Sequence, residues 1–111
     1  MNDVLKHLDA ILAQRKSADA EASYVASLHQ KGLNKILEKV GEEATEVIIA
    51  AKEASDASGK DALAGEVADL WFHSMVMLSH LDMSSEDVLK CLDQRFGVSG
   101  LDEKAARSTQ N

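Results

Sequence analysis

The stretch Gly65-Glu66-Val67-Ala68-Asp69-Leu70-Trp71-Phe72-His73-Ser74-Met75-Val76-Met77-Leu78 decides the fold. On a helical wheel its apolar side chains point in almost every direction, while Glu66, Asp69 and His73 gather within about 60° of arc. A helix that is apolar all round is predicted to lie buried. It needs helical neighbours, and the rest of the chain offers them. Val4, Leu5, Leu8, Ile11 and Leu12 form an amphipathic stripe over residues 3–15. Residues 16–21 are polar and read as a connection, and residues 23–28 as a short helix or an extended piece ended by Gly32. One long helix is predicted over 34–55, broken at Ser58-Gly59, and a second over 61–81. Ser84 with Asp87 resembles a capping box and starts a last helix reaching to about 96. Gly97, Ser99 and Gly100 then turn into a polar tail, 97–111. The expectation is an all-α bundle of four to five helices in a single domain, 1–111, with the role of residues 1–20 open.

Composition narrows the alternatives. With 45% hydrophobic but only 4% aromatic residues, aliphatic side chains and alanine must build the core. No proline and six glycines give too thin a turn vocabulary for a β sandwich or barrel. The single cysteine, Cys91, excludes an intramolecular disulfide and a cysteine-rich zinc site; it reads as a packed thiol and fits a reducing, cytoplasmic setting. The 19 acidic residues against 12 basic ones, a net charge of −7, give no hint of a nucleic-acid surface. No run approaches the length of a transmembrane helix, and the first residues carry opposite charges rather than the apolar run of a secretory leader. The expected partners are therefore neither nucleic acid nor membrane. An all-round apolar helix in so short a chain needs more cover than three short neighbours supply. A second protomer completing a four-helix bundle is expected to provide it.

The acids are distributed unevenly. On the helix over 34–55, Glu42, Glu43 and Glu46 share one arc with Lys39, beside the apolar stripe of Ile36, Leu37, Val40, Val47, Ile48 and Ala51. Ile49 falls on the far side of these carboxylates, out of place on a freely solvated face. Glu66 and Asp69, one turn apart on the next helix, meet no lysine or arginine between Asp61 and Lys90. The short link makes the two long helices an antiparallel hairpin with axes about 8–10 Å apart, which sets Glu46 and Asp69 nearly level. Five carboxylates around one gap repel each other unless cations occupy it. Oxygen-only ligands select Mg²⁺ or Mn²⁺ before Zn²⁺, and Mg²⁺ commonly completes its shell with substrate phosphates. The physical reading is a Mg²⁺-dependent site for a phosphate-rich small molecule. His73 reads as a core histidine or one supporting that site. No phosphate-cradling glycine loop and no EF-hand occur.

Lys39-x-Gly41-Glu42-Glu43-x-x-Glu46 followed by Glu66-x-x-Asp69 resembles the E-E-x-x-E…E-x-x-D signature of the all-α, MazG-like nucleotide pyrophosphohydrolases. The flanks resemble one branch, the phosphoribosyl-ATP pyrophosphatase family. These are Ser23-Tyr24-Val25-Ala26-Ser27-Leu28, Lys31-Gly32, Ala68-Asp69-Leu70-x-Phe72-His73 and Arg95-Phe96-Gly97-x-Ser99-Gly100-x-x-x-Lys104. Residues 1–20 carry no family motif, and Trp71 stands where an aliphatic residue is expected. The resemblance implies Mg²⁺-dependent hydrolysis of phosphoribosyl-ATP to phosphoribosyl-AMP and pyrophosphate, the second step of histidine biosynthesis, by a homodimer. Glu43, Glu46, Glu66 and Asp69 would hold the metal, and Glu42 would be a further ligand or the base for the attacking water. Lys39 would neutralise a phosphate or simply pair with a carboxylate one turn away. Arg95, Ser99 and Lys104 would contact phosphate or ribose, or else form an ordinary helix end and turn. Two other readings stay open: a housekeeping nucleoside triphosphate pyrophosphatase, and a non-catalytic helical metal-binding or dimerisation module.

Overall fold

The computed structural model describes residues 3–97 and is all-α, with five helices and no strand among those residues. They are α1 (Asp3–Arg15), α2 (Tyr24–Lys31), α3 (Leu33–Glu53), α4 (Ala57–His80) and α5 (Ser85–Arg95). Each start has a local cause. Ser23 caps α2, its side chain accepting from the Ala26 N–H, and Gly32, at φ 100°, makes the turn into α3 that a side-chain-bearing residue would resist. Ser84 and Asp87 form the expected capping box on α5.

The break between the long helices differs from expectation. Ser58 and Gly59 lie inside the first turn of α4, and the turn itself is Ala54–Asp56, with Asp56 accepting from the Gly59 N–H at 2.7 Å. A side-chain cap outweighed the weak helix propensity of Ser-Gly. Gly59 answers crowding instead: a Cβ there would stand 3.1 Å from Ala54 Cα and 3.2 Å from the Glu53 carbonyl.

α3 and α4 pack along their length as the predicted hairpin. The core sits at the end away from the turn, where Leu12, Val25, Leu28, Ile36, Met75 and Val76 are buried, flanked by Leu5, Leu8, Phe72 and Met77. Four of these side chains (Leu12, Leu28, Ile36 and Val76) are excluded from water, each worth about 1.5–3 kcal/mol. Two polar links hold the outer pieces to this core. Asp9 of α1 accepts from both the backbone N–H (3.0 Å) and the hydroxyl (2.5 Å) of Ser85, fixing the start of α5. Lys16 donates to the Ser79 carbonyl at 2.7 Å and pairs with Asp82 at 2.9 Å, closing the end of α4. Asp82 has φ 60°, and the Lys16 hydrogen bond and charge hold its carboxyl below its ordinary value.

Three sequence expectations are corrected. Within one chain α4 is not buried all round: only His73, Met75 and Val76 are buried, and Trp71 is 58% exposed. One protomer brings neighbours to only part of its circumference. The α3 stripe is likewise partly bare, since Leu37 and Ile48 stay exposed. Cys91 is an exposed thiol, not a packed one, because α5 turns that side of its surface to solvent.

Candidate active site

Register alone brings the acidic motifs together. Glu46 and Glu66 stand ten residues either side of Asp56, and Glu43 and Asp69 thirteen either side, so the antiparallel hairpin makes each pair level. Oxygens of Glu43, Glu46 and Glu66 lie within 4.8 Å of one another. Asp69 lies outside that tight group but near enough for its charge to act on both Glu43 and Glu66. The carboxyl of Glu43 is held above its ordinary value, first by burial, then by a hydrogen bond with Glu46 and the charges of Glu46, Asp69 and Glu66. That of Glu66 is also raised, first by hydrogen bonding with Glu46, then by burial and the charges of Glu46 and Asp69. A hydrogen bond between carboxyl groups requires a shared proton, so the cluster retains protons that water would strip from separate acids.

The donor set fits a hard divalent cation. Glu43 Oε2 and Glu66 Oε2 are buried oxygens with no hydrogen-bond partner, an arrangement normally costly in a folded protein. Among the described residues no lysine or arginine pairs with Glu43, Glu46, Glu66 or Asp69. A group of carboxylate oxygens this close and without a basic partner can be satisfied by protons or by a metal ion.

Other expected residues sit apart. Glu42 is exposed beside the cluster and takes Lys39 as an i,i+3 partner at 3.4 Å, and the Glu42 charge raises the Lys39 pKa. Such an exposed pair is weak and easily exchanged for another partner. Arg95 ends α5, which packs on α1, whereas the cluster lies between α3 and α4. Ser99 and Lys104 lie outside the described residues. Ile49, 52% exposed, is explained by a cleft of about 340 Å³ beside the cluster, where it joins Ala50, Ala62, Glu46 and Glu66.

His73 and Tyr24 complete the arrangement. His73 Nδ1 lies 3.4 Å from Glu43 Oε1, and its Nε2 lies 2.8 Å from the Tyr24 hydroxyl. The histidine is buried against Glu43, a position that fits either a core or a supporting histidine. The Tyr24 contact joins α2 to α4 and has no spacing signal; the residue stands in the Ser23–Leu28 flank that carries the family resemblance, but with no role attached to it.

A helical hairpin with E-E-x-x-E on one arm and E-x-x-D on the other, converging on a compact carboxylate group, places the chain among the all-α nucleotide pyrophosphohydrolases. The family model described as phosphoribosyl-ATP pyrophosphohydrolase matches residues 5–96. A protein of Hydrogenovibrio crunogenus named phosphoribosyl-ATP pyrophosphatase is 57% identical over 107 residues, covering 96% of this chain and 95% of its own. The chain belongs to the phosphoribosyl-ATP pyrophosphohydrolase family.

Proposed function

We propose that this protein hydrolyses the α–β phosphoanhydride of phosphoribosyl-ATP, giving phosphoribosyl-AMP and pyrophosphate in the second step of histidine biosynthesis. The observation that carries the reading is the convergence of Glu43, Glu46 and Glu66 in a chain of this family, two of their buried oxygens being without partners. Glu43, Glu46, Glu66 and Asp69 would hold Mg²⁺, with Mn²⁺ as a substitute. When bound, that ion supplies acidification of water and screening of phosphate charge. Glu42, outside the compact group and exposed, accepts the proton of the attacking water. Lys39 exchanges its weak Glu42 contact for a phosphate oxygen, and Arg95, Ser99 and Lys104 hold phosphate or ribose. The cleft lined by Ile49, Ala50 and Ala62 takes the apolar part of the nucleotide.

The protein would work in the cytoplasm as a single-domain homodimer. Leu37, Gly41, Ile48 and Ala51 follow helical spacing down one exposed face of α3, with small residues between the large ones. A second copy of α3 and α4 packed there would complete a four-helix bundle. Among the described residues no helix is long and apolar enough to cross a membrane.

Pyrophosphate release from phosphoribosyl-ATP and from deoxynucleoside triphosphates, each with Mg²⁺, tests the assignment. Preference for the first is expected; preference for a deoxynucleotide would replace it with a housekeeping pyrophosphatase. Glu46→Gln and Asp69→Asn are expected to abolish release with the fold retained. If both variants stay active, the metal site is elsewhere.

A further inference from the structure

We infer that Tyr24 and His73 form a positioning pair for Glu43, an inference that rests on the metal site proposed above. His73 is 7% exposed, and its Nδ1 faces two acceptors: the Asp69 carbonyl at 3.1 Å and Glu43 Oε1 at 3.4 Å. A backbone carbonyl cannot donate, so the ring hydrogen belongs on Nδ1. Nε2 then presents a lone pair, which accepts from the Tyr24 hydroxyl at 2.8 Å. A line of contacts therefore runs from the Tyr24 hydroxyl on α2 to His73 on α4, whose Nδ1–H donates to the Asp69 carbonyl and also faces Glu43 Oε1 on α3 at 3.4 Å. Rotating the imidazole would forfeit both ends at once, so the tyrosine fixes the tautomer and the ring plane together.

The tyrosine ring is itself held in place. It stacks on Phe72 at 6.5 Å and meets His73 edge-on at 5.9 Å, on a helix whose buried cap, Ser23, precedes it directly. With Oε1 lying 3.4 Å from the His73 ring nitrogen, Glu43 leaves its buried and unpartnered Oε2 to the cluster. Glu43 is the one carboxylate of the group that lies against a buried histidine.

Tyr24 is half exposed, so Tyr24→Phe removes only the hydroxyl and keeps the ring contacts. Mn²⁺ titration followed by the electron paramagnetic resonance of the free ion reads the site without turnover. Tyr24→Phe is expected to weaken Mn²⁺ binding about tenfold. On phosphoribosyl-ATP with Mg²⁺ it should lower kcat by a similar factor and leave KM within about twofold, the pattern of a displaced ligand rather than lost substrate contact. A merely structural hydroxyl would lower the melting temperature and leave Mn²⁺ affinity unmoved, and that result overturns the pair. His73→Asn retains an amide N–H near the Nδ1 position but cannot reach Tyr24. In that background Tyr24→Phe should have no further effect on Mn²⁺ binding, whereas additive losses would show that the two residues act separately. Wild-type protein that binds Mn²⁺ yet leaves phosphoribosyl-ATP intact would sink the proposed reaction, and the Mn²⁺ comparison would still decide the pair.

Discussion

Glu46 is the hinge of the carboxylate cluster: it hydrogen-bonds to both Glu43 and Glu66, and its charge raises both. Replacing it separates stability from function. Without metal, Glu46→Gln is expected to melt roughly 2–4 °C above wild type at neutral pH, because a like charge has gone, while turnover is lost. The same logic sets a pH dependence. Glu43 and Glu66 hold protons more tightly in the fold than in the unfolded chain, so their contribution is complete below about pH 4.5 and lost as pH rises through their raised folded values. Melting of the metal-free protein should therefore fall from pH 4.5 towards neutrality more steeply in wild type than in Glu46→Gln. With Mg²⁺ the trend should reverse, because the ion needs ionised ligands. Parallel slopes for the two proteins without metal would contradict this account. The acidic residues were legible from spacing because helical periodicity alone decides which carboxylates share a face. Tyr24 was not, since its bond to His73 depends on how α2 lies across α4, which no local pattern encodes.

At the scale of elements, the hairpin turn matters most, because it fixes which carboxylates are level. Asp56 both starts α4 and sits at the midpoint of the paired acidic positions. Asp56→Ala is expected to cost about 1 kcal/mol, visible as a drop of about 4–8 °C in thermal melts, and to weaken Mg²⁺ binding as the register loosens. Unchanged melting would mean that the turn holds without its cap. Helix positions were largely readable: α1 and α5 fall where stripe and capping box put them. The α3–α4 boundary was misread because Ser58-Gly59 has the composition of a breaker, while a single side-chain oxygen from Asp56 decides the issue. Residues 23–28 were ambiguous in sequence because so short an apolar run fits strand and helix alike; the Ser23 cap resolves them as α2.

At the scale of the molecule, the described chain leaves Leu37, Ile48, Ile49, Trp71 and Leu92 exposed, more apolar surface than scattered single residues explain. Sedimentation equilibrium should give twice the 12.0 kDa chain mass, and Ile48→Arg, on the bare face of α3, should shift it to monomer with lower melting temperature. A wild-type monomer would leave that face unexplained. The apolar pattern of α4 implied more cover than one short chain supplies, and within one chain only His73, Met75 and Val76 of that helix are buried.

The position of the four proposed metal ligands has a consequence for how the chain reaches its fold. All four fall within residues 43–69, around one three-residue turn, so the site closes across a short loop and with low contact order. Without an ion, that closure brings negative charges together before the distant core contacts can offset them. Mg²⁺ is then expected to raise the refolding rate itself, rather than act only by slowing unfolding, and stopped-flow refolding across a Mg²⁺ series reads this directly.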